Sequence, residues 1–113
     1  MLSKENRLQK KKDFENVFKQ GKSYKEKFLI LKTAKNDLNV PRFGFVVSQK
    51  VSKKATIRNK IRRRLKVILS GELKNEAIGG KDFLFIALPG LANKDFEELR
   101  EIFSKVYKKS KSA

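Results

Sequence analysis

The stretch Asp82-Phe83-Leu84-Phe85-Ile86-Ala87-Leu88 decides the fold that the sequence predicts, because its apolar residues follow one another without polar alternation. A strand that packs against other elements on both faces has this pattern, and such strands lie inside a sheet beside a parallel neighbour. Pro89 and Gly90 end the stretch, since neither residue continues a strand well. We therefore expect an interior strand of a small mixed sheet here.

Segments upstream and downstream of this strand predict the remaining elements. Arg42–Ser48 alternates in part and Tyr24–Thr33 contains an apolar run, so each predicts a further strand. Apolar residues at helical spacing predict helices over Lys11–Gln20, ended by Gly21, over Ala55–Ser70, ended by Gly71, and after Asn93, which can cap the last one. The order α-β-β-α-β-α predicts one α/β (α+β) two-layer sandwich, with helices packed on the sheet.

The length of 113 residues fits one domain with a single core. We expect residues 1–10 to form a loose N-terminal segment and residues 11–107 to form the α/β domain. A short helical turn is the expectation for residues 72–80. Residues 108–113 carry lysines without large apolar side chains and are expected to form a disordered basic tail.

The charge balance points to an anionic partner. The chain has 29 Lys and Arg residues against 12 Asp and Glu residues, a net charge of +17. Such self-repulsion destabilises a compact chain unless a polyanion offsets it, and nucleic acid and an anionic membrane surface are the two candidates. No apolar run reaches the roughly 18 residues of a membrane span, and the absence of Cys suits a reducing compartment. We predict a cytoplasmic protein.

The residue types that are missing restrict enzymatic hypotheses. The chain contains no His and no Cys, which are the commonest general base and thiol nucleophile. Carboxylates are absent between Leu38 and Gly71, where positive charge is densest. We interpret the acidic residues near the C-terminus as the polar face of a helix: Asp95, Glu97, Glu98 and Glu101. We predict that the chain has no catalytic residue and no metal site of its own.

The predicted helix over Ala55–Ser70 has one apolar and one cationic face. At 100° per residue its isoleucines and Leu65 fall within one arc, and its basic residues fall largely outside it. Ordinary solvated helices alternate charges at four-residue spacing, whereas Arg58 with Arg62 and Arg62 with Lys66 are like-charged pairs, which destabilise a helix slightly. These repulsions favour an anionic partner over a merely solvated face.

The chemistry of this cationic face favours nucleic acid over lipid. Arg presents a planar fork that matches phosphate oxygens, and Asn59 offers an amide that can contact a base edge or a ribose hydroxyl. A membrane-surface helix needs a free apolar face, but here that face is required for the core.

Three segments resemble one family. The segment Arg58-Asn59-Lys60-Ile61-Arg62-Arg63-Arg64-Leu65-Lys66 resembles the Arg-Asn-x-x-Lys-Arg-x-x-Arg signature of the protein subunit of bacterial ribonuclease P. Asn6-Arg7-Leu8 with Lys12-Asp13-Phe14, Val17-Phe18 and Gly21 is similar to the opening of that family, and Arg42–Lys50 is similar to its middle. In the signature, Arg62 and Lys66 replace one basic residue by another, and Val67 departs from the usual Glu or Gln.

The resemblance implies a function and a set of contact residues. In that family a catalytic RNA, with magnesium ions at its own active site, hydrolytically removes the 5′ leader of precursor tRNA, and the protein alone binds no cofactor. The resemblance implies a left-handed crossover through the basic helix and a leader cleft between the first helix and the sheet, at Phe14 and Phe18. It places the RNA-binding surface at Lys53, Lys54, Arg58, Asn59, Lys60, Arg62, Arg63 and Lys66. The implied partners are the catalytic RNA and precursor tRNA, without a membrane or a small-molecule substrate.

Other interpretations of the residues stay open at this stage. Two Phe residues at helical spacing, such as Phe14 and Phe18, are commonly core residues, and either face of the strand with Phe43 and Phe45 can be the wet one. A structural RNA-binding module such as a ribosomal protein has the same type of basic helix. A stand-alone nuclease and a DNA-binding module, whose helix enters a major groove, are further alternatives.

Overall fold

The computed structural model describes residues 6–72 and 80–112, which form four strands and three helices. In chain order these are α1 (Lys11–Gln20), β1 (Lys22–Glu26), β2 (Leu29–Lys35), β3 (Arg42–Val46), α2 (Ala55–Glu72), β4 (Lys81–Ala87) and α3 (Phe96–Ser112). A single 3-10 turn, Leu91–Asn93, precedes α3.

The four strands form one mixed sheet in the order β1-β2-β4-β3. β4 lies inside the sheet, antiparallel to β2 and parallel to β3, as its unbroken apolar sequence predicted. α2 makes the crossover that joins the parallel strands β3 and β4. The left-handed sense of this crossover stays a prediction from the resemblance.

The prediction of a single strand over Tyr24–Thr33 is wrong, because the structure divides this stretch into the antiparallel strands β1 and β2. Lys27 and Phe28 form the turn between them, and Glu26 pairs with Leu29 on its two sides. The observed order is therefore α-β-β-β-α-β-α. Two-residue hairpin turns favour Gly, Asn or Asp, because their residues adopt positive φ, and this turn contains none of them.

Phe28 adopts a left-handed conformation, with φ of 55°, and contacts from a distant part of the chain hold it there. Its carbonyl oxygen accepts a hydrogen bond from the Leu88 N–H at 2.8 Å. Its ring packs on Gly90, where a Cβ atom would come within 2.8 Å of two ring carbons. The Lys94 Nζ atom lies 5.3 Å from the ring centroid. Because these contacts are tertiary, the local sequence pattern does not reveal the turn.

The main hydrophobic core lies on the sheet face that α2 and α3 cover. Side chains alternate between the two faces along each strand, and Phe43, Phe83 and Phe85 point into this core. Phe85 stacks on Phe103 of α3 with 4.5 Å between the ring centroids. The helices contribute Ile61, Leu65, Ile68 and Leu69 from α2 and Leu99, Ile102, Phe103, Val106 and Tyr107 from α3. The apolar side of α2 is therefore occupied by the core.

The shorter helix α1 packs on the opposite face of the sheet. Val17 of α1 is fully buried there together with Leu8 and Leu84, and Val46 and Ile86 pack against them partly buried. Helices thus lie on both faces of a small mixed sheet, which confirms the predicted α+β sandwich. The expected two-layer arrangement is wrong, because α1 adds a layer on the second face.

The expectation of a loose segment over residues 1–10 is wrong for residues 6–10, while residues 1–5 lie outside the described part. Leu8 is buried, and its N–H donates to the Phe43 carbonyl oxygen at 2.8 Å. Arg7 forms a parallel bridge with the same residue of β3. Residues 6–10 therefore cover part of the edge of the sheet, because the apolar side chain of Leu8 packs under α1.

The boundaries of α2 and α3 also differ from the predictions. α2 continues through Gly71 to Glu72, which is the first residue of the turn predicted over residues 72–80. Residues 73–79 of that turn lie outside the described part. The cap of α3 is Asp95, not Asn93, since its Oδ1 accepts from the Glu98 N–H at 2.9 Å.

The expectation of a disordered tail over residues 108–113 is wrong for residues 108–112, which extend α3. Ser110 continues the buried stripe of the helix, and its hydroxyl donates to the Tyr107 carbonyl oxygen at 2.6 Å. Lysines at the end of a helix interact favourably with its dipole, so a lysine-rich sequence here does not prevent helix formation. Ala113 lies outside the described part.

Candidate RNA-binding site

The cationic residues of α2 lie on the side of the helix that faces away from the core. Ile61 and Leu65 are buried, whereas Asn59, Arg63 and Lys66 on the other side are exposed. Lys60 is also exposed, and Arg58 and Arg62 are half-buried at the margins. The helical period of 3.6 residues thus separates the two faces as the sequence predicted. We call the residues Lys53, Lys54, Arg58, Asn59, Lys60, Arg62, Arg63 and Lys66 the α2 surface.

Arg58 fixes the connector that precedes α2. Its Nη1 atom donates to the carbonyl oxygens of Ser52 at 3.0 Å and of Lys53 at 2.9 Å. The Ser52 hydroxyl oxygen accepts from the Lys54 N–H at 3.2 Å. These bonds hold the exposed residues Lys53 and Lys54 beside the first turn of the helix, so the structure brings them together with the signature residues.

Arg62 and Asn59 are joined on the solvent side of α2. The Arg62 Nη2 atom donates to the Asn59 Oδ1 atom. Because this bond occupies the amide oxygen, the amide nitrogen of Asn59 is the group that can donate to an acceptor such as a phosphate, a carbonyl or a ribose oxygen. This bond joins two residues of the signature on the exposed side of the helix.

The positive charge of the α2 surface has no compensating carboxylate within residues 6–72 and 80–112. The ion pairs found there connect Asp, Glu, Lys and Arg residues of other elements, and no carboxylate oxygen of the described part lies within 4.0 Å of a cation of the α2 surface. Acidic side chains that neutralised this helix face would contradict an RNA-binding interpretation. The geometry instead presents an uncompensated cationic face.

The side of the sheet next to α1 forms a second candidate surface. Phe18 of α1 is 49% exposed, and the Lys32 Nζ atom of β2 lies 5.8 Å from its ring centroid. Alternation along the strands places Ile30, Val46 and Ile86 on the same sheet face, each only partly buried. We call Phe18, Lys32, Ile30, Val46 and Ile86 the α1–sheet surface.

The two predicted cleft residues differ in exposure. Phe14 is half-buried and packs beside Leu8 and Leu84. Gly44 makes room for it, because a Cβ atom there would lie 3.0 Å from a Phe14 ring carbon and 3.1 Å from atoms of both leucines. Phe14 is therefore largely a packing residue, and Phe18 is the aromatic side chain with a free face.

The sheet aromatics that the sequence left unassigned belong to the core side. Phe43 is buried and stacks on Phe83 at 5.2 Å. Phe45 packs on the same side, 5.5 Å from Phe85. The wet face of the sheet is thus the α1 face.

An ion-pair network that sequence reasoning missed connects α1 to the sheet. Arg42 donates from Nε and Nη2 to the two carboxylate oxygens of Asp82, at 2.8 Å and 2.7 Å, and from Nη1 to Asp13 at 3.0 Å. Asn36 Nδ2 donates to the same Asp82 carboxylate at 2.8 Å. Asp82 is 1% exposed, and its hydrogen bonds raise the pKa of Arg42. The one sequence signal was Asp82 itself, a carboxylate at the start of a buried apolar strand.

Residues 6–72 and 80–112 also bear on a metal site and on a membrane span. Three or more acidic side chains do not come together there in an arrangement that could hold a metal ion. None of the helices in this part combines the length and the hydropathy needed to cross a bilayer.

Comparison with known proteins identifies the family of the chain. Residues 2–111 match the model of the Ribonuclease P family. The ribonuclease P protein component of Clostridium botulinum (strain 657 / Type Ba4) is 36% identical over 107 residues, which cover 95% of this chain and 96% of the relative. That of Bacillus cereus (strain AH187) is 34% identical over 110 residues, with 96% and 94% covered.

Solved structures give the same result at the level of the fold. The RNase P protein of Staphylococcus aureus superposes with a TM-score of 0.84 at 26% identity, covering 94% of this chain and 95% of that one. The RNase P protein of Thermotoga maritima gives a TM-score of 0.78 at 32% identity, with 91% and 96% covered. The chain therefore belongs to the ribonuclease P protein family.

Proposed function

We propose that the chain is the protein subunit of ribonuclease P, the ribonucleoprotein that removes the 5′ leader from precursor tRNA by endonucleolytic hydrolysis. The RNA subunit performs the chemistry with its magnesium ions, and the protein binds that RNA and the leader without supplying a catalytic residue. The observation that carries the proposal is the uncompensated α2 surface in a chain of this family. We assign the complex to the cytoplasm.

The α2 surface is proposed to bind phosphates of the catalytic RNA. Each phosphate that a Lys or Arg neutralises releases a counterion, so this type of binding is strong at low salt and weakens steeply as salt rises. Arg62, Arg63 and Lys66 point away from the core and can approach the backbone of an RNA helix together. The bonds from Arg58 to the connector reduce the entropy that binding would otherwise cost at Lys53 and Lys54.

The α1–sheet surface is proposed to bind the leader. Unpaired bases stack on exposed aromatic rings, which is worth roughly 1–3 kcal/mol per base. Phe18 offers such a ring, and Lys32 beside it can neutralise a phosphate of the same strand. Mature tRNA has no leader, so these contacts strengthen the binding of the precursor only. Mature tRNA therefore dissociates more readily than precursor tRNA.

Membership in the family favours this proposal over a structural RNA-binding module such as a ribosomal protein. A DNA-binding module and a stand-alone nuclease are the remaining alternatives. They predict, respectively, a preference for duplex DNA over structured RNA and cleavage by the pure protein.

The test is multiple-turnover processing of a precursor tRNA by a bacterial ribonuclease P RNA at low magnesium concentration, with and without the protein. We expect the protein to increase the rate of 5′ maturation under these conditions. The protein alone, added at the same concentration, is expected to leave the precursor intact. Equal rates with and without the protein would reject the proposal, and cleavage without RNA would support the nuclease alternative.

A further inference from the structure

We infer that the Arg42 network is a positioning device that holds α1 at a fixed place on the sheet and thereby sets the spacing between Phe18 and the sheet side of the leader site. This inference rests on the proposed function, because it concerns the α1–sheet surface. Arg42 and Asp13 act through Phe18 and are not themselves proposed to touch the leader.

The network joins three elements through one guanidinium group. Arg42 of β3 binds Asp82 of β4 with two parallel hydrogen bonds and uses its remaining Nη1 atom for Asp13 of α1. The planar guanidinium holds its donors in fixed directions, and the side chain of Arg42 is 19% exposed. Since Asp82 fixes the plane of the guanidinium, the position of Nη1, and with it that of Asp13, is fixed as well.

Hydrophobic packing secures α1 on one side of the helix, through Val17 and Phe14. Val17 is the buried residue of the helix, and Phe14 and Phe18 lie to one side of it. On the other side a cavity of about 510 Å³ separates Asn16 and Lys19 of α1 from Lys35 and from the loop that follows β2. Because no side chain fills this space, packing alone does not prevent α1 from tilting towards it about Val17. The bond from Asp13 to Arg42 lies on this side of α1 and resists the movement.

A tilt of α1 changes the site where the leader is proposed to bind. Phe18 follows Val17 directly and lies about one and a half helical turns from Asp13, since a turn contains 3.6 residues. Its ring stands beside Lys32, which β2 holds in place. A movement of the helix against the sheet therefore separates the Phe18 ring from Lys32. A displacement of about 1 Å is enough to weaken interactions that depend on orientation.

Arg42 forms a half-buried ion pair with Asp13 and a second pair with the buried Asp82, and this arrangement can fix the position of α1. Such pairs add little stability compared with apolar residues of the same volume, but in some proteins they select one packing arrangement over others. Asp13 and Asp82 share one guanidinium, and an apolar residue at position 13 could pack in several ways. The Asp13–Arg42 contact therefore matters more for selecting one position of α1 than for the stability that it adds.

The test uses Asp13→Asn in the reconstituted holoenzyme and measures the equilibrium affinities for precursor tRNA and for mature tRNA. We expect the ratio of the two affinities to fall about fivefold, which corresponds to about 1 kcal/mol, while the affinity of the protein for the catalytic RNA is unchanged. Asp37→Asn is the matched control, because Asp37 is an exposed carboxylate near the same cavity and forms no bond in the network. It is expected to leave the ratio unchanged.

A double-mutant cycle with Phe18→Ala separates positioning from general structural damage. If Asp13 acts through Phe18, then Asp13→Asn has little further effect on the ratio once the ring is removed. Additive losses in the double variant, or an unchanged ratio in Asp13→Asn, overturn the inference while the proposed function stands. If the unmodified protein itself does not raise the precursor affinity above that for mature tRNA, the proposed leader site fails and the inference fails with it.

Discussion

At the scale of the residue, Asp82 is a buried charge on which the stability of the fold depends. This carboxylate is 1% exposed inside the sheet, and its charge is acceptable only because Arg42 and Asn36 supply three hydrogen bonds to it. Removing one member of such a group leaves the other charge buried without a partner, which costs far more than the intact pair contributes.

Arg42→Ala is therefore expected to lower the free energy of unfolding by about 3–5 kcal/mol. Urea denaturation measures this loss. Arg100→Ala is the control, since Arg100 pairs with Glu97 at 2.6 Å on the surface, where solvent screening leaves such pairs with little effect on stability. Similar losses in the two variants contradict the account of a buried charge network.

A second prediction for a single residue concerns Tyr107 and the stability of the protein at alkaline pH. The residue is fully buried, and burial, assisted by the negative charge of Glu72, raises the pKa of its hydroxyl to about 12. The folded state then holds the proton more tightly than the unfolded chain, so the associated stability is complete below about pH 10 and is lost as pH rises towards about 12.

Unfolding by urea at about pH 9 and about pH 12 tests this expectation. Between these pH values, the free energy of unfolding of the unmodified protein is expected to fall by up to about 2–3 kcal/mol more than that of Tyr107→Phe, which has no hydroxyl to ionise. The lysines titrate in both proteins, and their effect cancels in the comparison. An identical loss in both proteins shows that Tyr107 does not keep its proton preferentially in the folded state.

At the scale of the element, the sequence predicted those features that have a period. The two faces of α2 follow from the 3.6-residue spacing of Ile61 and Leu65, and the interior place of β4 follows from its unbroken apolar run. The turn at Phe28 was missed because Gly90 and Leu88, which stabilise it, lie 60 residues or more away in the chain. The Arg42 network was missed for the same reason, since its partners are 29 and 40 residues away.

The two candidate residues of the leader site are predicted to behave differently because α1 exposes them differently. Phe18→Ala is expected to reduce the preference for precursor over mature tRNA by about 1 kcal/mol or more, the value of one stacked base, with little change in stability. Phe14→Ala is expected to cost about 2 kcal/mol or more in unfolding free energy, because it opens a cavity beside Leu84.

Equilibrium binding and urea denaturation of both variants check this assignment. Each variant serves as the control for the other, because both remove one phenyl ring from the same helix. A reversed pattern, in which Phe18→Ala unfolds the protein and Phe14→Ala alone reduces the preference, contradicts the packing described for α1.

At the scale of the whole molecule, the sheet separates two surfaces with different proposed partners. α2 covers one sheet face and presents its cations outward, and the α1–sheet surface lies on the opposite face. A chain with a net charge of +17 placed between two RNA molecules lowers the repulsion between their phosphates. Under the proposed function, the catalytic RNA and the leader bind on opposite sides of the sheet.

The central claim is that the α2 surface binds phosphates of the catalytic RNA. The most direct measurement is the salt dependence of binding between this RNA and Arg62→Ala/Arg63→Ala, compared with the unmodified protein and with Lys35→Ala/Lys81→Ala. The control removes two exposed lysines that face each other across β2 and β4, so the loss of net charge is the same. We expect the slope of log affinity against log salt to become shallower by about one to two units in the arginine variant only. An unchanged slope, or an equal change in the lysine variant, contradicts the claim.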